Sequence, residues 1–443
     1  MATSTEFETI VAPHCRAAGP GTAIAVRHRG GLIHLRGYGL ANVEWNVPIE
    51  PETVFRIGSV TKQFTAAAIL KLSEDGALNI DDPIERHLAD YPVGDRRITI
   101  RHLLNHTSGI KSYTGLPEFF GSLSNKTLAR QEMIDVFKDL PLDFEPGERF
   151  MYNNSGYFLL GAIIERASDK DYASFLHDAF FAPLGMTSTR YLDDRPVTPR
   201  RAAGYERQGP ELFNATPLAM SWPFAAGALG STLTDLLLWD VALRTGQVVS
   251  PASYAAMTAP NHLNNGAPVN YGFGLRLAEY RGRRHVGHGG GINGFLTNLV
   301  YWPDDDLSVV VLSNLVPFPV DQVTYGLMRR ALDLPDTPRS PVMLDGAQLE
   351  ACAGLYRFDI GPLRLKADGG ALTGDWPRPG SRFRPVAEDV FFLEKDPEVT
   401  LRFSELEDGV YQRLVIEGYA EPASAERVTE AVEEALANPS SPR

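Results

Sequence analysis

Between Thr22 and Gly39 apolar residues alternate or run together on both sides of Gly30-Gly31, which predicts two antiparallel strands joined at a glycine turn. From Val60 to Leu72 the period changes. Phe64, Ala66, Ala67, Ala68, Ile69, Leu70 and Leu72 leave little polar face before Glu74-Asp75-Gly76 closes the run. This predicts a helix apolar nearly all round, glycine-capped and centrally buried. Helical patterns continue over Arg101 to Leu104, Thr127 to Leu140, Ser155 to Arg166 and Leu233 to Leu243, with Pro and Gly between them. Strand patterns return at Gly272 to Leu277, Gly294 to Tyr301 and Leu307 to Leu312. Strands, a helical insertion and strands again predict an α/β (α+β) sandwich whose antiparallel sheet is assembled from both ends of the domain.

Three prolines between Asp333 and Val342 have the composition of a stiff linker, which divides the chain into domains 1–335 and 344–443 around a linker at 336–343. Short apolar runs follow at Leu355 to Phe358, Leu363 to Lys366, Ala371 to Gly374, Val390 to Leu393, Thr400 to Phe403 and Val410 to Val415. With Asp368-Gly-Gly as a hairpin turn, they predict a small antiparallel β barrel or half-barrel. Glu426 to Leu436 is expected to form a short acidic helix, and Asn438 to Arg443 a frayed tail.

Composition narrows the function classes. At 443 residues, with 44% hydrophobic and 22% charged residues, the chain is ordinary globular protein and long enough for a large core plus an appendage. A net charge of −13 argues against nucleic-acid and anionic-membrane partners. Arg281-Gly-Arg-Arg284 is the local exception and reads as a solvated turn. Two cysteines, Cys15 and Cys352, make no disulfide framework, and no signal or membrane-spanning run is visible, so a cytoplasmic location is expected.

Three motifs carry candidate chemistry. Ser59-Val-Thr-Lys62 opens the buried helix, where positions i and i+3 share a face and set the lysine beside the hydroxyl. A serine needs a neighbour to take its proton, and a desolvated lysine of lowered pKa can do so. The helix N-terminus adds donors for a developing anion. A Ser-x-x-Lys pattern arises about once by chance in a chain this long. Ser108-Gly-Ile-Lys111 is such a decoy, in a turn where the two side chains need not meet.

The second motif is Tyr152-Asn-Asn154, after the turn Glu145-Pro-Gly147. A phenol near an ammonium can be held as, or close to, a phenolate, which makes Tyr152 a general base toward Ser59 and later an acid toward the leaving group. Asn154 can fix the lysine and a substrate carbonyl. Taken alone, this motif reads as a packed aromatic before a polar turn. In the third, His285-Val-Gly-His-Gly-Gly-Gly-Ile-Asn-Gly294, the glycines leave the backbone open to a ligand, as an oxyanion hole requires, and His288 can orient substrate or assist proton transfer. His285 reads as a surface residue. The two histidines lack accompanying carboxylates or cysteines, so no metal and no cofactor is expected.

The ordered set Ser59-Val-Thr-Lys62, Tyr152-Asn-Asn154 and His288-Gly-Gly290 resembles the active-site elements of class C β-lactamases, penicillin-binding-protein-like DD-peptidases, D-aminopeptidases and β-lactamase-like esterases. Phe55 to Phe64, Ile100 to Gly109, Pro146-Gly147 and Gly156 to Gly161 look like landmarks of the same family. The likeness covers residues 20 to 320. It implies Ser59 as nucleophile, Lys62 and Tyr152 as the proton-transfer pair, and Asn154, Gly289, Gly290 and Gly291 along the substrate. The oxyanion hole would be formed by the N–H groups of Ser59 and Gly291. Class C β-lactamases carry Lys-Thr-Gly where this chain has His288-Gly-Gly, which implies weak binding of a substrate carboxylate and resembles the D-aminopeptidases instead. The C-terminal domain resembles the lipocalin-like additions of those relatives. The expectation is thus a serine hydrolase on amides or esters of small peptides or D-amino-acid derivatives. A short-chain carboxylesterase and a non-catalytic penicillin-recognising scaffold are the alternatives, a homo-oligomer being allowed.

Overall fold

In the computed structural model the described residues are 4–430 apart from 117, 118, 120, 121, 194, 337, 338, 359, 360, 378, 420 and 421. They form two compact units, one of residues Met1–Leu277 and Arg283–Asp333, the other of Ala278–Gly282 and Leu334–Arg443.

The first unit is built on a six-stranded antiparallel sheet. Its strands are β1 (Thr22–His28), β2 (Gly31–Tyr38), β3 (Arg276–Tyr280), β4 (Arg283–Ile292), β5 (Phe295–Trp302) and β6 (Leu307–Ser313), in the order β3-β4-β5-β6-β1-β2. The two ends of the unit therefore meet at the β1–β6 pair, where Ala23 faces Leu312 and Ala25 faces Val310. Every residue of β6 is buried, because helices cover both faces of the sheet. Helices α1 (Ser4–Val11) and α5 (Val320–Ala331) lie on one face and α4 (Leu233–Arg244) on the other. The β1–β2 turn is Arg29-Gly30, both at positive φ, and Gly31 already belongs to β2. The pairing is as expected, with the turn one residue earlier.

Between β2 and β3 stands the helical insertion. Helix α2 (Thr61–Glu74) buries Thr61 through Leu70 and Leu72, since it runs through the middle of this layer with α3 (Asn154–Ser168) and Phe224–Gly227 packed on it. Phe64 stacks on Trp239 of α4 with ring centroids 3.9 Å apart, tying the central helix to the layer that covers the sheet. Asp75 ends α2 and Gly76 follows in the left-handed conformation. Thr127 to Leu140 is helical only over Arg130–Asp135, and the Gly272 to Leu277 pattern starts as a strand only at Arg276. The reason at the second place is steric: Gly274, at φ +72, lies against the backbone of Lys62 and Gln63, where a side chain would not fit.

In the second unit eight strands close into an antiparallel barrel: β7 (Gly354–Phe358), β8 (Gly361–Asp368), β9 (Ala371–Gly374), β10 (Ser381–Pro385), β11 (Val390–Leu393), β12 (Asp396–Glu407), β13 (Val410–Glu417) and β14 (Ala423–Val428). Phe383, Phe391, Leu401, Phe403 and Leu414 fill its core. Two strands had no prediction. One of them, β14, takes Glu426 to Val428 out of the expected acidic helix, because pairing of Leu355 with Val428 closes the barrel. The rest of that segment beyond residue 430, with the tail Asn438 to Arg443, lies outside the described residues. As expected, Arg281-Gly282 is an exposed turn between β3 and β4, and the arginines at and beside it are ion-paired. Arg281 pairs with Glu398 at 2.6 Å, Arg283 with Asp305 at 2.5 Å and Arg284 with Asp304 at 3.1 Å. Among the described residues no helix is long and apolar enough to cross a membrane.

Candidate active site

Ser59 sits in the single 3-10 turn Gly58–Val60 that leads into α2, partly exposed between buried neighbours. Gly58 holds φ +50, and a Cβ there would come within 3.0 Å of the Gly291 nitrogen, so the serine turn and β4 touch backbone to backbone. Thr297 of β5 donates to the Ile57 carbonyl at 2.9 Å and pins the same junction. The glycine run was expected to admit a ligand. At Gly290 it is the protein's own packing that demands glycine, since a Cβ there would collide with the Ile57 carbonyl oxygen and Thr297 Oγ1. Gly291 is exposed, and a Cβ there would meet only Leu296 in ordinary contact, whereas at the half-buried Gly289 it would lie 3.1 Å from Asn298 Oδ1. Gly290→Ala is therefore expected to cost about 3 kcal/mol of stability, because the obstacle is backbone. Gly291→Ala should stay within about 0.5 kcal/mol. Denaturant midpoints check both, and equal shifts would refute the packing account.

Lys62 is wholly buried one turn further on. Its Nζ lies 3.1 Å from Ser59 Oγ, 2.8 Å from Asn154 Oδ1 and 2.8 Å from the Ala226 carbonyl oxygen. Burial, and secondarily the charge of Arg276, push its pKa well below the ordinary lysine value. A neutral amine has two hydrogens and one lone pair. Two of the three neighbours are carbonyl oxygens that can only accept, so they take both hydrogens and the lone pair is left facing the serine hydroxyl.

Asn154 is the first residue of α3, whose N-cap is Asn153 through a 2.7 Å bond from the Gly156 N–H. Besides accepting from Lys62, its side chain donates to Thr114 Oγ1 at 3.1 Å, which fixes the amide's orientation. The Tyr152 ring lies under Lys62, with Nζ 4.7 Å from its centroid. Its hydroxyl is buried and makes no aligned hydrogen bond among the described residues. Burial raises its pKa, against smaller opposing effects of the Ser59 hydroxyl and Arg276, so the phenol is held protonated rather than as phenolate.

His288, on β4, is brought beside Tyr152 with ring centroids 5.9 Å apart. Both its nitrogens are engaged within the protein: Nδ1 donates to the Gly289 carbonyl at 2.5 Å, and Nε2 accepts from the Tyr271 hydroxyl at 2.9 Å. Burial, Arg276 and Lys62 hold the ring neutral. The histidine thus lines the site with no free nitrogen for substrate. His285 is buried elsewhere, bonded to Tyr325 and packed on Trp302, its pKa lowered to about 4 by burial. The decoy pair is separated as well, Lys111 pairing with Asp143 while Ser108 Oγ accepts from Ile110 N–H.

Two residues at the site had no prediction. Arg276 is exposed at the start of β3, 5.3 Å over the Tyr152 ring, with no ion-pair partner among the described residues. His106 is buried against Tyr152, Tyr157 and Tyr271. A free guanidinium and a turn histidine have no local pattern. Only the fold brings them here.

A serine–lysine pair at the head of a buried helix, against the edge of an antiparallel sheet, defines the class: a serine hydrolase of the penicillin-recognising kind. The Beta-lactamase family model matches residues 7–333, and the chain belongs to that family. It is 34% identical over 328 residues to penicillin-binding protein 4* of Bacillus subtilis (strain 168), covering 70% of each chain. To a D-aminopeptidase of Gluconobacter oxydans (strain 621H) it is 28% identical over 345 residues, 77% of this chain and 65% of that one. Among solved structures, the octameric penicillin-binding protein homologue from Pyrococcus abyssi matches 95% of this chain and 99% of its own, with TM-score 0.69 and 25% identity.

Proposed function

We propose that the protein hydrolyses amide bonds of small peptides or D-amino-acid derivatives through an acyl-Ser59 intermediate. The observation that carries this reading is the desolvated Lys62 amine, whose two carbonyl acceptors leave its lone pair for Ser59. The Ser59 proton passes to Nζ as Oγ bonds to the substrate carbonyl carbon. The N–H groups of Ser59 and Gly291 receive the resulting oxyanion, a reading supported by the close packing of Gly58 on Gly291. Collapse breaks the C–N bond, and the proton taken up by Lys62 reaches the leaving nitrogen through the Tyr152 hydroxyl. Burial keeps that hydroxyl protonated and therefore able to donate. Water then repeats the sequence on the ester.

The preference for D-configured substrates rests on the likeness to proteins named D-aminopeptidase. Arg276 adds a selectivity of its own. His288 has no charge to offer a carboxylate, whereas the exposed guanidinium beside Tyr152 does. A panel of D-alanyl amides, D-alanyl-D-amino acids and p-nitrophenyl esters tests the reading. D-Alanyl compounds are expected to exceed their L-counterparts in kcat/KM by about 10-fold or more. Arg276→Ala should raise KM for the dipeptides with free carboxylate and leave the neutral amides unchanged. Turnover of simple esters alone, with no amide cleavage, would instead assign a carboxylesterase.

A further inference from the structure

We propose that His106 is the positioning residue for Tyr152, holding the phenol where proton transfer with Ser59 and Lys62 needs it. This rests on the reading of Tyr152 given above. Tyr152 lies in the irregular stretch between the Glu145-Pro-Gly147 turn and α3, so no helix or strand ladder fixes its backbone. His106 supplies the missing anchor on both sides. The Met151 N–H donates to the His106 carbonyl at 3.0 Å, and the Asn153 N–H donates to His106 Nδ1 at 3.1 Å. One residue thus holds the N–H of the residue before and of the residue after Tyr152. Its ring also packs on the phenol between them, centroid to centroid at 4.4 Å.

The clamp works only with a neutral imidazole. Nδ1 must accept from Asn153, which puts the ring proton on Nε2; a second proton would set N–H against N–H. The surroundings enforce this. His106 is 1% exposed, and the charged or titratable groups facing it are Lys62, Arg276, His288 and the phenols of Tyr152, Tyr157 and Tyr271. Burial first, with the charge of Arg276 acting in the same sense, disfavours its protonation. Its backbone holds φ +62, in the left-handed region that few side chains other than Asn, Asp and His enter readily. A residue at this position must therefore combine that turn, an acceptor at the reach of Nδ1 and a flat ring. Histidine alone offers all three.

The test uses His106→Asn, which tolerates the backbone and keeps an acceptor but removes the ring, in the wild-type and Tyr152→Phe backgrounds. Steady-state kinetics, acylation by a serine-directed probe and thermal melts are measured for all four proteins. His106→Asn is expected to lower kcat about 10-fold or more with KM within about 2-fold. The same change should have almost no further effect once Tyr152 has lost its hydroxyl. An equal fold-loss in both backgrounds, a change in KM alone, or no loss at all would overturn the proposal. If His106→Asn does not fold at the assay temperature, His106→Gly, which accepts the same φ and also lacks the ring, carries the same comparison. A fully active Tyr152→Phe would overturn the role of Tyr152 itself, and the clamp with it. That failure is visible in the single variant and so separable from failure of the clamp.

Discussion

Ser59→Ala is expected to abolish turnover, by about 10⁴-fold or more, and covalent labelling by a serine-directed acylating probe with it. Joint loss follows from Ser59 being the hydroxyl that the buried Lys62 amine meets. Ser108, in the decoy motif, is buried and its oxygen is taken by the Ile110 N–H, while its lysine pairs with Asp143. The thiols of Cys15 and Cys352 are pushed up to about 12 by burial and cannot ionise near neutral pH. The intact mass of the variant after incubation with a panel of β-lactams, D-amino-acid amides and esters measures the outcome. An adduct of unchanged stoichiometry would remove Ser59 from the mechanism. The change should be nearly neutral for stability, because the hydroxyl lies at a partly exposed turn whose geometry is set by Gly58, Thr297 and Gly290.

The local pattern made the chemistry legible where it is itself local. Ser59 and Lys62 stand one turn apart, so a helical period alone brings them together, and the apolar surroundings that burial requires are visible in the same dozen residues. Asn154 is similarly marked by the capping position it follows. The parts that escaped are those set by distant pairing. The charged strand Ser381–Pro385 and the apolar-poor strand Ala423–Val428 exist because neighbours in the barrel need partners, which their own residues do not announce. Likewise the roles of the histidines depend on where each ring nitrogen finds a partner. The sequence places His288 at the site, yet only Tyr271 and the Gly289 carbonyl show that its nitrogens are spent. His106 sits in a turn 46 residues before Tyr152, and its hold on Met151 and Asn153 is a tertiary fact. The glycine run illustrates the converse: its composition was noticed for its openness to ligand, while at Gly290 the cause is close packing.

Lys62→Met is expected to lower kcat/KM about 10³-fold or more while preserving the fold. Methionine is close in volume and apolar, so the buried shaft of the side chain is replaced and only the amine is lost. In the wild-type protein the acid limb of the rate profile should follow this amine. Because its pKa is depressed, the neutral base is available at lower pH than for an ordinary lysine, and activity is lost as pH falls through the lowered value. The same shift acts on stability with a definite sign. Unfolded, the lysine titrates near 10.5; folded, it titrates well below, so between the two the unfolded chain binds more protons and wild-type stability rises with pH. The variant has no such group. Whatever fixed cost arises from leaving Asn154 Oδ1 and the Ala226 carbonyl without a donor is common to all pH values. Relative to wild type, Lys62→Met should therefore be most favoured near neutral pH and lose that advantage toward alkaline pH. Chemical denaturation at about pH 7 and about pH 9.5 measures this difference. A pH-independent gap between the two proteins would mean that Lys62 is charged in the folded state, and the serine would then need another base.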